Sequence, residues 1–248
     1  MEIPKTLDQL NEQLDGWSDM LKDPLWYQQA MPILLDWWEN FPKDETRELL
    51  KDRIYQYFAD KLEKGEIVLG RKGPNFDQER KPVDTIIIHH SSRKPGVSWQ
   101  ELSAIGFLRQ YVHDYYLYDD VFDQDTKDQP IWSGHFRDGI QVFYAYHWLV
   151  RMNGESVRLL EDHYLGWHAG NRDVNRRSIA IVLDGDFQNS EPSHLSLEGV
   201  ARLMREQYPH IKTAKILGHL EVSKTECPGR LFLPVWKNKL LSKFFEPQ

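Results

Sequence analysis

Apolar residues recur at helical spacing through the first seventy positions, then give way to short continuous runs. Leu7, Leu10, Leu14, Trp17 and Leu21 lie three or four apart, which puts them on one helical face. Thr6 and Gln9 stand where a capping box would start that helix. Asp23-Pro24 opens a second helical segment carrying Trp26, Met31, Leu34, Leu35, Trp37 and Trp38, and Pro32 within it predicts a bend or an interruption. Phe41-Pro42 breaks the pattern. Leu49, Leu50, Ile54, Tyr57, Phe58 and Leu62 then make a third stripe that ends near Gly65, as a C-terminal cap does.

Gly70 to Arg80, with Gly73-Pro74-Asn75, reads as a linker. Asp84 to His89 is an apolar run of buried-strand length. Ser98 and Glu101 form a capping-box signature for a helix through about Tyr111. Asp114 to Gly139 is acidic, aromatic and turn-rich; it reads as a long insertion, and such loops are often functional, here as the wall of a substrate groove. Val142 to Arg151 reads as a strand, and Asn153-Gly154 is a hairpin signal leading to a partner at 155–159. Residues 178–183 and 214–217 read as strands, 195–208 and 231–244 as helices. Strands alternating with helices predict an α/β domain with a central mixed sheet flanked by helices, behind an α-helical N-terminal extension. The expected division is an extension over 1–70, a linker over 71–82 and a domain over 83–248 with an insertion at about 112–140.

Composition narrows the functional classes. A chain of 248 residues with 40% hydrophobic residues and nine tryptophans can bury a sizeable core. The net charge of −7 argues against nucleic acid as a partner. The expectation is a monomer without a membrane span or a signal peptide, synthesised in the cytoplasm; action on a cell wall would then follow lysis or non-classical export. A single cysteine excludes an internal disulfide framework. The aromatic first seventy residues have two readings. One is a helical unit whose tryptophans are core. The other is a wall-targeting module in which Trp17, Trp26, Trp37 and Trp38 stack on sugars.

Candidate chemistry concentrates in Ile216 to Gly229. Cys227, the only cysteine, lies eight residues after His219, and Gly218, Pro228 and Gly229 predict a loop that folds back over that span. Imidazole and thiolate are both good zinc ligands. A third ligand would come from His89 or His90, at the end of Ile86-Ile87-Ile88. Neighbours on a strand point to opposite faces, so one of the pair can face a metal. Cys227 also has two other readings, a nucleophile paired with a histidine and an inert buried thiol.

Ile86 to Ser92, Tyr146-His147-Trp148, Trp167-His168-Ala169-Gly170, Ser178-Ile179-Ala180-Ile181 and Gly218-His219 to Cys227-Pro228-Gly229 occur in an order that resembles the zinc-dependent N-acetylmuramoyl-L-alanine amidases. That family includes phage-type lysozyme amidases and peptidoglycan recognition proteins, and the resemblance spans roughly residues 80 to 245. It implies one Zn2+ on His89, His219 and Cys227, the ligand being the first residue after the apolar strand. It implies catalytic roles for Tyr146, Thr225 and His168, and substrate contacts from His90, Trp167, Asn175 and Arg177. Thr225 stands where phage-type enzymes carry lysine and recognition-protein amidases carry threonine; Glu226 is a further candidate base. The segment Asn171 to Asn175 reads as a loop about two residues longer than the family pattern. The implied reaction is hydrolysis of the amide between N-acetylmuramic acid and L-alanine in peptidoglycan. A binding-only peptidoglycan sensor, a cytosolic muropeptide-recycling amidase and a metal-free cysteine hydrolase are the alternatives.

Overall fold

A computed structural model describes residues 2–71, 73, 75–97, 99–110, 132–134, 136–137 and 140–245. The three helical stripes form α1 (Leu7–Asp15), α2 (Trp26–Asn40) and α3 (Glu45–Glu63). There follow β1 (Thr85–His90), α4 (Trp99–Gln110), the short β2 (Phe136–Arg137) and β3 (Ile140–Gln141), β4 (Trp148–Val150), β5 (Ser156–Arg158), α5 (Arg172–Arg177), β6 (Ser178–Leu183), α6 (His194–Gln207), β7 (Ile216–Gly218) and α7 (Lys237–Phe245). They form two compact units. One comprises Met1–Asn75 and Ser98–Phe143, the other Phe76–Val97 and Tyr144–Gln248. Helix α4, expected with the C-terminal domain, groups with the N-terminal helices, and the second unit begins inside the span read as a linker. Its first residues, Phe76–Glu79, form a 3-10 turn.

The helical unit is built around aromatic rings. Trp17 stacks on Trp37 at 5.4 Å between centroids, and Trp26 lies 5.6 Å from both Phe58 and Phe107. Trp17, Trp26 and Trp37 are buried, so they present no face to a sugar; Trp38 is half-buried beside Tyr55. Thr6 Oγ1 accepts from Gln9 N, and Asp44 accepts from Thr46 N, satisfying amides at two helix starts. Gly65 takes a φ of +64° just beyond α3. Contrary to expectation, α2 runs unbroken through Pro32. Proline removes one backbone donor, whereas Trp26, Tyr27, Ala30, Met31, Leu34 and Trp37 of the same helix are all buried, and this packing holds it together. Leu49 falls off the buried stripe and is 50% exposed.

In the second unit the strand order is β5-β4-β6-β1-β7, with β4, β6, β1 and β7 parallel and β5 antiparallel at the edge. Ile86 and Ile88 of β1, with Ile179, Ile181 and Leu183 of β6, pack against Leu197, Val200, Leu203 and Met204 of α6 and against Trp236 and Leu240. Ile87 faces the other side, with Ala169 and Val174. Glycine is required at Gly154, in the β4–β5 turn, where φ is +82° and a Cβ would sit 2.6 Å from Leu195 O.

Three local expectations are corrected. The strand read over 142–151 pairs only at Trp148–Val150. Phe143, Tyr144 and Tyr146 are buried outside the sheet, and apolar spacing reports burial rather than pairing. The segment read as a loop before β6 is helix α5, capped by the Asn171 side chain accepting from Val174 N. The closing helix begins with a π-helical turn, Phe232–Trp236. The groove-wall insertion falls mostly on residues 111–131, and the Ser98 and Glu101 capping pair on side chains likewise outside the described residues.

Replacing Trp26 by alanine is expected to destabilise the helical unit by about 3–5 kcal/mol in denaturant unfolding, while Leu49→Ala stays within about 0.5 kcal/mol. Equal effects of the two would show that the aromatic cluster does not carry this unit.

Candidate metal centre and active site

The site begins with strand register. β1 pairs in parallel with β7 as far as Ile88 opposite Gly218. The next residues along are His89 and His219, and their rings lie 4.7 Å apart. His219 opens a 3-10 turn whose Glu221 carboxylate accepts from Gly218 N at 2.8 Å and pairs with Lys237 at 2.7 Å. Leu220 N donates to Cys227 O at 2.7 Å, closing the loop and bringing the cysteine back to the histidine. Cys227 Sγ then lies 3.6 Å from His89 Nδ1. One donor atom from each of His89, His219 and Cys227 falls within 4.8 Å of the others, the one such group among the described residues.

The donor set fits a metal. Two zinc ligands, one nitrogen and one sulfur, at ordinary bond lengths and a tetrahedral angle stand about 3.5 Å apart. Three protein donors leave the fourth position open, as catalytic zinc sites do. His90 lies on the opposite face of β1, where its Nδ1 accepts from Phe187 N at 3.0 Å and stands 3.6 Å from Asp186. It is thus set apart from the three donors.

His89 is the hub. The Tyr146 ring is 5.0 Å away and the His168 ring 5.1 Å, edge to face. His168 Nδ1 lies 3.0 Å from His89 Nε2, and His168 Nε2 lies 3.1 Å from Ser178 Oγ. Both ring nitrogens of His168 are thus engaged inside the protein, and the residue is 6% exposed. Burial first, then the neighbouring charges of His147, His219 and Arg80, hold its pKa well below the usual imidazole value. The sequence reading expected His168 to line the pocket as a proton carrier; in the structure its ring is enclosed. Asn175 is also buried, and its Oδ1 accepts from His168 N and Ala169 N at 3.3 and 2.9 Å. Its side chain holds the Trp167–Gly170 segment in place. Gly166 lets that segment pass close over Ala145, whose carbonyl would stand 2.4 Å from a Cβ.

Arg177 pairs with Asp84 at 2.9 Å and with Asp173 at 3.4 Å. It precedes the Thr85–Ser178 end of the β1–β6 ladder, whereas His89 lies four residues along β1, about 13 Å at the usual rise. The side chains of Arg177 and Asn175, named as substrate contacts in the sequence reading, are both bonded to other parts of the protein. Trp167 is half-buried and meets the Phe76 ring edge-on at 5.5 Å. Thr225 Oγ1 accepts from Cys227 N at 3.2 Å, beside the candidate thiol donor. The Glu226 carboxylate is exposed and is held by Arg230 at 3.1 Å and by Gln188.

Three residues given no role in the sequence reading complete the frame. Arg80 donates to the carbonyls of Asp162, Asn175 and Ser178 at 2.8, 2.7 and 2.9 Å. Burial lowers its pKa, and among the described residues backbone oxygens rather than carboxylates accept its hydrogen bonds. An arginine in a linker-like stretch gave no signal. Ser178 did give one, as a polar residue at the head of a continuously buried strand. His147 accepts from Ala180 N at its Nδ1 and so donates from Nε2 to Tyr164 O at 3.1 Å. Arg80→Met is expected to cost about 2 kcal/mol or more in unfolding experiments, because three carbonyls lose their donor. An unchanged midpoint would mean that water replaces the guanidinium.

The family profile described as N-acetylmuramoyl-L-alanine amidase (Amidase_2) matches residues 79–230, a span that contains all three donors. A curated relative, the 1,6-anhydro-N-acetylmuramyl-L-alanine amidase AmpD of Haemophilus influenzae, is 25% identical over 185 residues, covering 69% of this chain and 91% of the relative. Among solved structures, the N-acetylmuramoyl-L-alanine amidase LysC from Clostridium intestinale is 21% identical with a TM-score of 0.47, covering 71% of this chain and 92% of that one. Drosophila peptidoglycan recognition protein SD is 17% identical with a TM-score of 0.45, covering 66% and 83%. With the profile matched over more than half its length, the chain belongs to the N-acetylmuramoyl-L-alanine amidase family, enzymes that hydrolyse the amide between N-acetylmuramic acid and L-alanine.

Proposed function

We propose that the chain holds one zinc ion on His89, His219 and Cys227 and cleaves the muramyl–alanyl amide of peptidoglycan or of muropeptides derived from it. The observation that carries this reading is the convergence of the three donors, with the His89 nitrogen and the Cys227 sulfur at the separation of two zinc ligands. A zinc ion bound there supplies an activated water and a Lewis acid for the scissile carbonyl.

The chain's own residues hold the substrate and stabilise charge. Tyr146, packed beside His89, offers a phenol that donates to the oxyanion formed on the amide carbon. Thr225 accepts the Cys227 N–H, which leaves its own hydroxyl proton to donate; it adds a second neutral donor and no positive charge. Trp167, braced by Phe76, offers an indole face to the sugar or peptide at the rim. His168, enclosed on both nitrogens, is not placed to protonate the leaving amine. The complete donor set supports catalysis over a binding-only role, and one chain supplies every ligand, which supports a monomer. The net charge of −7 supports a substrate other than nucleic acid.

A second reading of the substrate is favoured by the curated relative, whose name specifies 1,6-anhydro-N-acetylmuramyl-L-alanine. Digestion of intact sacculi and of soluble 1,6-anhydro muropeptides, side by side, separates the two. New L-alanine amino termini from only the soluble substrate would assign the enzyme to muropeptides; release from sacculi would assign it to the wall.

Chelation is expected to abolish turnover and one equivalent of zinc to restore it, with Cys227→Ser losing both zinc and activity. Turnover by zinc-free protein would instead make Cys227 a nucleophile paired with His89. Tyr146→Phe is expected to lower kcat about 100-fold or more with zinc content unchanged, as removal of an oxyanion donor does. A kcat within about twofold of the parent would remove Tyr146 from that role.

A further inference from the structure

We infer that His168 is a positioning residue that sets the tautomer of His89, and that a backbone carbonyl four residues before Ser178 is the origin of the setting. The inference rests on the reading of His89 as a metal ligand and adds a cause for how that ligand is prepared.

The chain of hydrogen bonds has one direction. Val174 O can only accept, and Ser178 Oγ lies 2.7 Å from it as donor. The hydroxyl has one proton, so Ser178 Oγ must accept in its other bond, 3.1 Å from His168 Nε2. His168 Nε2 is therefore the donor to that hydroxyl; a ring with a single proton, which burial between a hydroxyl and a second imidazole favours, has its lone pair on Nδ1. That Nδ1 lies 3.0 Å from His89 Nε2, so His89 donates from Nε2 and carries no proton on Nδ1. The unprotonated nitrogen is the one 3.6 Å from Cys227 Sγ. Ser178, His168 and His89 are all buried, so bulk water does not compete for these bonds. Ligating histidines commonly donate their second nitrogen to a carboxylate, carbonyl or water. Here a second imidazole takes that place, and its own proton is directed by the end of α5.

The arrangement also has a geometric cause. Thr85 pairs with Ser178 and His89 with Val182, so Ser178 and His89 are about 13 Å apart along the ladder at the usual rise. One imidazole bridges part of that distance, and Asn175 fixes its backbone. The Ser178 side chain lies at the junction of α5 and β6, so its hydroxyl reaches back to Val174 in the last turn.

Two readouts test the inference. The first is long-range 1H–15N correlation on histidine-labelled, metal-free protein of native sequence, which reports the protonated nitrogen of each ring. Protons on Nε2 of both His89 and His168 are expected. A proton on Nδ1 of either ring overturns the inference, whether or not the protein binds zinc. The second is zinc affinity by competition with a chromogenic chelator, on variants whose folded state is checked by their amide spectra. His168→Asn places an amide oxygen near the Nδ1 acceptor and is expected to stay near the native affinity. His168→Leu removes the acceptor and is expected to lose about 10–100-fold. Native affinity in His168→Leu, or an equal loss in both variants, also overturns it. Failure of the native protein to bind zinc would instead sink the ligand reading, and the tautomer measurement stands apart from that result.

Discussion

The parallel pairing of β1 between β6 and β7 is the constraint on which the site depends. Its register puts His89 and His219 side by side just beyond the paired residues Ile88 and Gly218. A slip of one residue would turn the His89 side chain to the α6 face and separate the donors. The apolar run Ile86 to Ile88 resists that slip, because Ile86 and Ile88 fill the α6 side while Ile87 fills the other. The donors thus stand at the carboxyl ends of parallel strands, the usual place for ligand sites in open α/β sheets. Cys227 needs no strand of its own. The Leu220–Cys227 backbone bond and the Glu221–Lys237 pair fold its loop back onto the histidines.

Around the donors lies a frame of buried and half-buried polar groups, each with a partner. Arg80 gathers three carbonyls from the 162–178 segment, Asn175 holds two amides of the 167–170 segment, and His147 joins Ala180 to Tyr164. Polar side chains enclosed in this way have their bonding capacity satisfied within the protein. The same enclosure distinguishes the neighbours of the hub: both ring nitrogens of His168 are engaged inside the protein, whereas Thr225 lies on the loop that carries Cys227.

The helical unit uses aromatic side chains differently. Its tryptophans stack and tilt on one another and on Phe58 and Phe107. Large rings contribute much apolar area per residue, which suits a unit made of three helices from the first seventy residues together with α4. Trp17, Trp26 and Trp37 thus serve cohesion, and carbohydrate recognition in this unit would need other side chains.

Much of this was legible along the chain. Helical stripes located α1 and α3, the apolar runs located β1 and β6, Asn153-Gly154 marked the hairpin, and the spacing from His219 to Cys227 with the Ile86–His89 run marked the three donors. These signals are local: each comes from spacing within a few residues, set by the geometry of one helix, strand or turn. What spacing could not settle was the partner of each polar side chain. Arg80 meets Asn175 and Ser178 nearly a hundred positions away, and Arg177 meets Asp84 across a similar distance. The sequence by itself determined which residues can ligate a metal and in what order they occur. Only the tertiary structure decided what each of them meets: His89 the Cys227 thiol, His90 the Phe187 amide, Asn175 the amides of His168 and Ala169, and Arg177 the carboxylates of Asp84 and Asp173. The reason is physical: strand register and chain closure set those relations, and both depend on contacts between segments far apart in the chain.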